Sequence, residues 1–282
     1  MDTNKNISEI FYKCGFSDSK INSVFAEIAK SRAEENKYNN YFEKNWGSAF
    51  LASECFYVII FRITSTFLKY ADSVSENTKK EKANTLTALS QIQNRAAQQY
   101  LEILTLIKNG FPDGAFARWR SMYELSVIGS FIMKYGEDVA EQFIEASVSQ
   151  DRYDWAMASN AFPENKRHVT FGDILKLCDI DFEAWKDDYT AANQTVHASP
   201  QGTFGRLGTP DGESSTSQRS TYGIAAPAIQ SANTLALIST MLFSILPDED
   251  TVNYMSLATK WLNELNELYC ITHDKLFPDD NK

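Results

Sequence analysis

The strongest constraint in this sequence is a pair of long apolar runs at helical spacing, joined by only a few residues. Leu86, Leu89, Ile92, Ala96, Tyr100, Ile103 and Ile107 recur every three or four positions, which puts them on one face of a helix. Asn109-Gly110 ends that run, because glycine accepts the left-handed cap conformation. Phe111-Pro112-Asp113-Gly114 makes a tight turn, and a second apolar helix returns over about 115–135 with Gly136 as its stop. Two long helices joined by so short a turn must lie side by side and antiparallel.

The same period runs through the rest of the chain. Ser19 caps a helix carrying Ile21, Val24, Phe25 and Ile28, whose charged second half reaches 44 before Gly47 breaks it. A second, largely buried helix is expected over 50–71, and 76–82 reads as a connector or first turn. Further helices are expected over 137–158, 174–178, 182–197, 225–246 and 251–276. No stretch alternates with a two-residue period long enough to make a strand. The expected fold class is all-α, a single multi-helix bundle with a long Gly/Ser-rich loop between late helices. That loop, 199–223, holds five of the twelve glycines and two prolines. The expected organisation is an N-terminal helical cap over 1–46 and a main bundle over 47–282.

Composition narrows the function. The formal charge of −10 disfavours generic nucleic-acid binding, which needs clustered Lys and Arg. Lys166-Arg167-His168 is the strongest local basic group and reads as a solvated loop. The four cysteines, Cys14, Cys55, Cys178 and Cys270, form no paired spacing, so they are expected to be reduced and mostly buried rather than metal ligands. The polar N-terminus lacks an apolar signal segment, which makes a cytoplasmic location the default. The apolar stretch 50–61 is interrupted by Glu54 and ended by Arg62, and 220–247 has no charge but several polar side chains. Both read as buried helices of a soluble core, with no membrane partner.

Two constellations carry chemistry. In Arg118-Trp119-Arg120-Ser121-Met122-Tyr123-Glu124, Arg120 and Glu124 are four apart and share a face of a strongly apolar helix, so they are expected to pair in a partly buried place. Tyr189, Asn193 and His197 follow at successive spacings of four and form a hydrogen-bonding stripe, with His197 facing the Gly-rich loop. Histidine titrates near neutrality and is the usual acid or base. Phosphate-binding loops, dinucleotide fingerprints, nucleophile elbows and Glu-x-x-His di-iron pairs are all absent, so neither metal nor cofactor is expected.

The run 103–110, the turn, and Arg120-Ser121-Met122-Tyr123-Glu124 resemble a helical hairpin with an Arg-Ser-x-x-Glu signature. Tyr189-x-x-x-Asn193-x-x-Val196-His197 resembles the downstream histidine helix of the same family. Together, over about 86–246, they resemble the bacterial family known as domain of unknown function 5677. The resemblance implies an all-helical fold in which the arginine, glutamate and histidine converge, and bacterial origin. Helical ribonucleases of toxin and antiviral systems share this general look, but they place a histidine four to six residues after an arginine on one helix, and no such pair occurs here.

Three readings follow. In an enzyme, His197 would be the acid or base, Arg120 would bind an anionic group, Glu124 would orient them, and Asn193, Tyr189 and Arg118 would hold substrate, with RNA or a nucleotide as substrate class in a defence or toxin system. In a binding module, the same pocket would sense an anionic small molecule or dock an operon-encoded protein partner. In a structural network, the three groups would specify helix register. A homo-oligomer is also expected, with 235–246 and 261–276 offering an apolar face.

Overall fold

A computed structural model describes residues 3–149, 152–163, 165–197, 200–205, 207–208 and 219–278. Nearly half of the Gly/Ser-rich loop, 209–218 with Ser199 and Arg206, lies outside them. Ten α-helices and no strand occur among the described residues: α1 Thr3–Lys13, α2 Asp18–Ser73, α3 Glu76–Lys108, α4 Pro112–Tyr135, α5 Glu137–Glu145, α6 Phe171–Leu175, α7 Lys186–Val196, α8 Pro200–Phe204, α9 Ala225–Phe243 and α10 Glu249–Leu276. The chain forms two compact units, 1–47 and 48–282.

In the first unit, Phe11 of α1 meets Phe16 and Phe25 edge-on, with ring centroids 5.3 and 5.9 Å apart. The second unit is built on α3, α4 and α9, which pack on one another. Their inward faces are fully buried at Leu89, Ile92, Tyr100, Trp119, Leu235 and Ile238. A Cβ on Gly129 of α4 would stand 3.1 Å from Met241 and 3.3 Å from Leu89, so a bare backbone lets the three helices close up. α5 lies on α3, α7 and α6 on α4, and α10 on α9. The 48–73 part of α2 is tied in by polar bonds inside the core. Ser53 Oγ and Tyr269 OH lie 2.8 Å apart, and Tyr100 OH donates to Ser53 O at 3.2 Å.

The caps follow the expected chemistry. Ser75 caps α3 by accepting from the Thr78 amide, and Asp248 caps α10 by accepting from the Thr251 amide. Gly136, at φ 79°, ends α4 and starts α5, a conformation a Cβ would resist. The first residue of α5, Glu137, accepts the backbone amides of Asn84 and Thr85, both at 2.9 Å. One carboxylate thus fixes the α4–α5 corner onto α3.

Four expectations are corrected. Gly47 does not break a helix: α2 runs through it. An isolated glycine costs only about 1 kcal/mol in a helix, and buried Trp46, Ala49 and Phe50 flank it. The 137–158 helix ends at Glu145 and gives way to tight turns at Ala146–Val148 and Asp154–Ser159. These turns let Trp155 sink between Phe131 and Phe143, at 5.9 and 5.0 Å. The thiols are not mostly buried: Cys14 and Cys270 are exposed, and Cys55 and Cys178 are partly so. The 235–246 stretch belongs to the core, so it offers no free face. α2 contains an 18-residue window of mean hydropathy 1.4, long and apolar enough to cross a membrane by length and composition, with 33% of it buried.

Candidate functional site

α4 and α7 pack together, and the polar groups predicted on each meet there. The Arg120 guanidinium lies 2.7 Å from Glu124 Oε1 one turn along α4. Its Nε donates to Asn193 Oδ1 on α7. Its plane sits 5.7 Å from the Tyr189 ring centroid. Tyr189 OH donates to Glu124 Oε1 at 3.1 Å. Four predicted residues, Arg120, Glu124, Tyr189 and Asn193, therefore form one connected cluster. Arg120 and Glu124 keep only 22% and 12% of their side-chain surface exposed.

The other two predicted residues stand apart. Arg118 pairs with Glu102 of α3, because it lies two positions from Arg120 and so faces another direction. His197 is the C-cap of α7, exposed, with extended backbone at φ −90° and ψ 137°. The helix ends before it, so the four-residue register that carries Tyr189 and Asn193 does not continue to the imidazole. Among the described residues the ring makes no hydrogen bond.

Residues outside the predicted set complete the cluster. Arg152 reaches the second oxygen of Glu124 at 3.4 Å and is itself 68% exposed. Its guanidinium rests 5.1 Å from the Tyr153 ring. Tyr123 packs 4.4 Å from Tyr189, and Phe171 at the start of α6 stands 5.8 Å from Tyr189 and 6.3 Å from Tyr153. Sequence reasoning placed 152–153 on a continuous helix, and only the turn after α5 carries them back to α4. Tyr123 sat inside the quoted motif without a role.

A second set of contacts holds that turn. Asp154 accepts the Val169 amide at 2.9 Å and stands 3.2 Å from His168 Nδ1, which keeps its carboxyl below the usual range. Thr170 and Asp173 cap α6 reciprocally, and Lys166 lies 2.9 Å from Asp173. Of the basic trio, Lys166 is thus engaged in an ion pair and His168 in a polar contact. Among the described residues no cluster of His, Cys, Asp and Glu could hold a metal.

Burial dominates the electrostatics. It pushes the Tyr123 phenol up to about 12, with Tyr189 adding to the effect. Burial, then the Glu124 carboxylate, raises Tyr189, and the same two causes raise Tyr153 against the pull of both arginines. These phenols stay protonated at neutral pH, and that of Tyr189 donates to Glu124. Two cavities adjoin the cluster. One of about 310 Å³ is lined by Arg152, Gln91, Phe143 and Trp155. The other, about 500 Å³, is lined by Tyr123, Tyr189, Glu183 and Lys186.

Residues 87–179 match the family model described as a family of unknown function, DUF5677. No curated protein and no solved structure matches the chain. The DUF5677 match takes in Arg118, Arg120, Glu124, Arg152, Tyr153 and Phe171, and it stops before α7. Tyr189, Asn193 and His197 thus lie beyond the DUF5677 segment, on a helix that folding places against it.

Proposed function

We propose that this chain is a binding module for a nucleotide-like anion, held without turnover beside the Arg120–Glu124 pair. The observation that carries the reading is the convergence of Arg120 and Arg152 on one carboxylate within a wall of aromatic rings. Two guanidinium groups against one carboxylate leave one surplus positive charge in a chain of formal charge −10. Arg120 is locked by Glu124, Asn193 and the Tyr189 ring. Arg152, exposed and held at 3.4 Å, is the group free to turn toward an incoming anion. Planar guanidinium matches phosphate oxygens in pairs, and half-buried Tyr153 and Phe171 offer faces on which a base can stack. The adjoining cavities fall in the size range of small-molecule sites.

The exposed, unbonded position of His197 favours binding over an RNA-cleaving effector. Titration with AMP and with inorganic phosphate, read by calorimetry, tests this. Binding by the wild type is expected, with Arg152→Ala weaker by tenfold or more and its melting temperature nearly unchanged. Equal binding by Arg152→Ala, or none by the wild type, would refute it. Cleavage of an RNA probe that His197→Ala abolishes would replace it with the effector reading.

A further inference from the structure

The outer faces of α2 and α10 carry a second pattern that the polar site does not use. Leu51, Val58, Phe61, Ser65 and Leu68 sit on α2 at positions a, a, d, a and d of one heptad register. The four apolar members of this stripe are 38–62% exposed. On α10, Tyr254, Leu257, Trp261, Glu264 and Ile271 keep the register a, d, a, d, d, and the apolar members are 38–60% exposed. The inward faces of both helices are separately filled, by Phe56, Ile60, Ile63 and Phe67 on α2 and by Ala258, Leu262, Leu265 and Tyr269 on α10. Apart from Glu54, which fills one d position of α2 and pairs with Lys108, and the partly buried Leu268 at one a position of α10, the spacing is three and four, the pattern of a seam that meets another helix. Here that seam runs twice, on the side turned away from the core.

The two stripes border a groove of about 810 Å³. On the other side of α2, a groove of about 490 Å³ runs along α3, and Phe61 and Ser65 line both. The surface therefore offers a ridge beside a groove of matching origin, the shape an isologous contact needs. The eight exposed apolar side chains present on the order of 800 Å², which is what one partner contributes to a standard stable interface. The rim is also self-complementary. Arg62 and Lys260 carry positive charge beside Glu264, and none of the three has an ion pair among the described residues.

We propose that this α2–α10 face is where two copies of the chain associate, ridge into groove, with Glu264 of each copy meeting Arg62 or Lys260 of the other. Light scattering on the full chain across roughly 1–100 μM, where interfaces of this size associate, is expected to give twice the chain mass of 31.9 kDa. Phe61→Glu is expected to give a single chain mass with an unchanged helical spectrum. Glu264→Lys should weaken association at least tenfold, and Lys260→Glu in the same chain should restore it. Should Phe61→Glu fail to fold, Ser65→Cys provides the test, since oxidation should then link two copies through the seam to a degree that the wild type, with its exposed Cys14 and Cys270, does not reach. A wild-type chain of single mass, a Phe61→Glu dimer, or no Ser65→Cys crosslink overturns the proposal. So does a monomer that binds anionic phospholipid vesicles, which would assign the face to a membrane surface.

Discussion

Replacing Glu124 with Gln removes one charge from the polar cluster while keeping its size and one acceptor oxygen. In the native chain that carboxylate faces Arg120 at 2.7 Å, Arg152 at 3.4 Å and the Tyr189 hydroxyl at 3.1 Å. Unit charges about 4 Å apart attract by ~4 kcal/mol at an effective dielectric near 20. Three facts reduce that figure here. Gln still accepts a hydrogen bond, Arg152 is 68% exposed, and Arg120 keeps its bond to Asn193. What remains is the charge-assisted part of two bonds at a side chain only 12% exposed, about 2 kcal/mol. For a unit of this size that lowers the melting temperature by about 4–8 °C. Calorimetry and urea unfolding of the full chain would measure it, with Arg118→Gln as the control. The Arg118–Glu102 pair is a third exposed on both sides, so its loss should stay within about 1 kcal/mol. A double-mutant cycle with Arg120→Gln should show coupling of at least about 1 kcal/mol. A Glu124→Gln chain as stable as the wild type, or a larger loss in Arg118→Gln, would show that this pair does not hold α4 in place.

Glu137→Ala should cost about 1–2 kcal/mol, since it removes a partly buried carboxylate that accepts two amide bonds from α3. Faster hydrogen exchange at Asn84 and Thr85 checks it, and unchanged exchange with unchanged stability counts against it. The phenols of Tyr100, Tyr123 and Tyr269 are raised by burial, Tyr123 to about 12. A raised folded value favours the protonated form, so this stabilisation is whole below the unfolded value near 10 and is lost as pH rises above it. The melting temperature should hold to about pH 10 and then fall, with phenolate absorbance appearing together with unfolding. Phenolate forming near 10 in a still-folded chain would refute this.

Much of the architecture was readable from spacing. The α3–α4 hairpin announces itself by its apolar period, its Gly110 stop and its Pro112 start, all local signals. The Arg120–Glu124 pair is equally local, because a spacing of four on one helix puts them on one face. Tyr189 and Asn193 were readable as a stripe, and the enzyme reading put them in one pocket with Arg120 and Glu124, but as substrate holders rather than as direct partners of the pair. Arg152 was hidden for a different reason. Its approach to Glu124 depends on α5 ending at Glu145, after which Trp155 packs against Phe131 and Phe143, a non-local contact that spacing does not reveal. His197 shows the reverse case, where a register extrapolated one residue too far placed a side chain on a stripe it leaves.

The amino-acid order alone determined the helical class, the hairpin and the charge-paired face of α4, because each rests on contacts within about four residues of one another. Tertiary packing decided which helix faces that pair, which arginine joins it, and which apolar stripe stays outside. Those outcomes depend on how several buried surfaces fill space together, and no single segment encodes that sum.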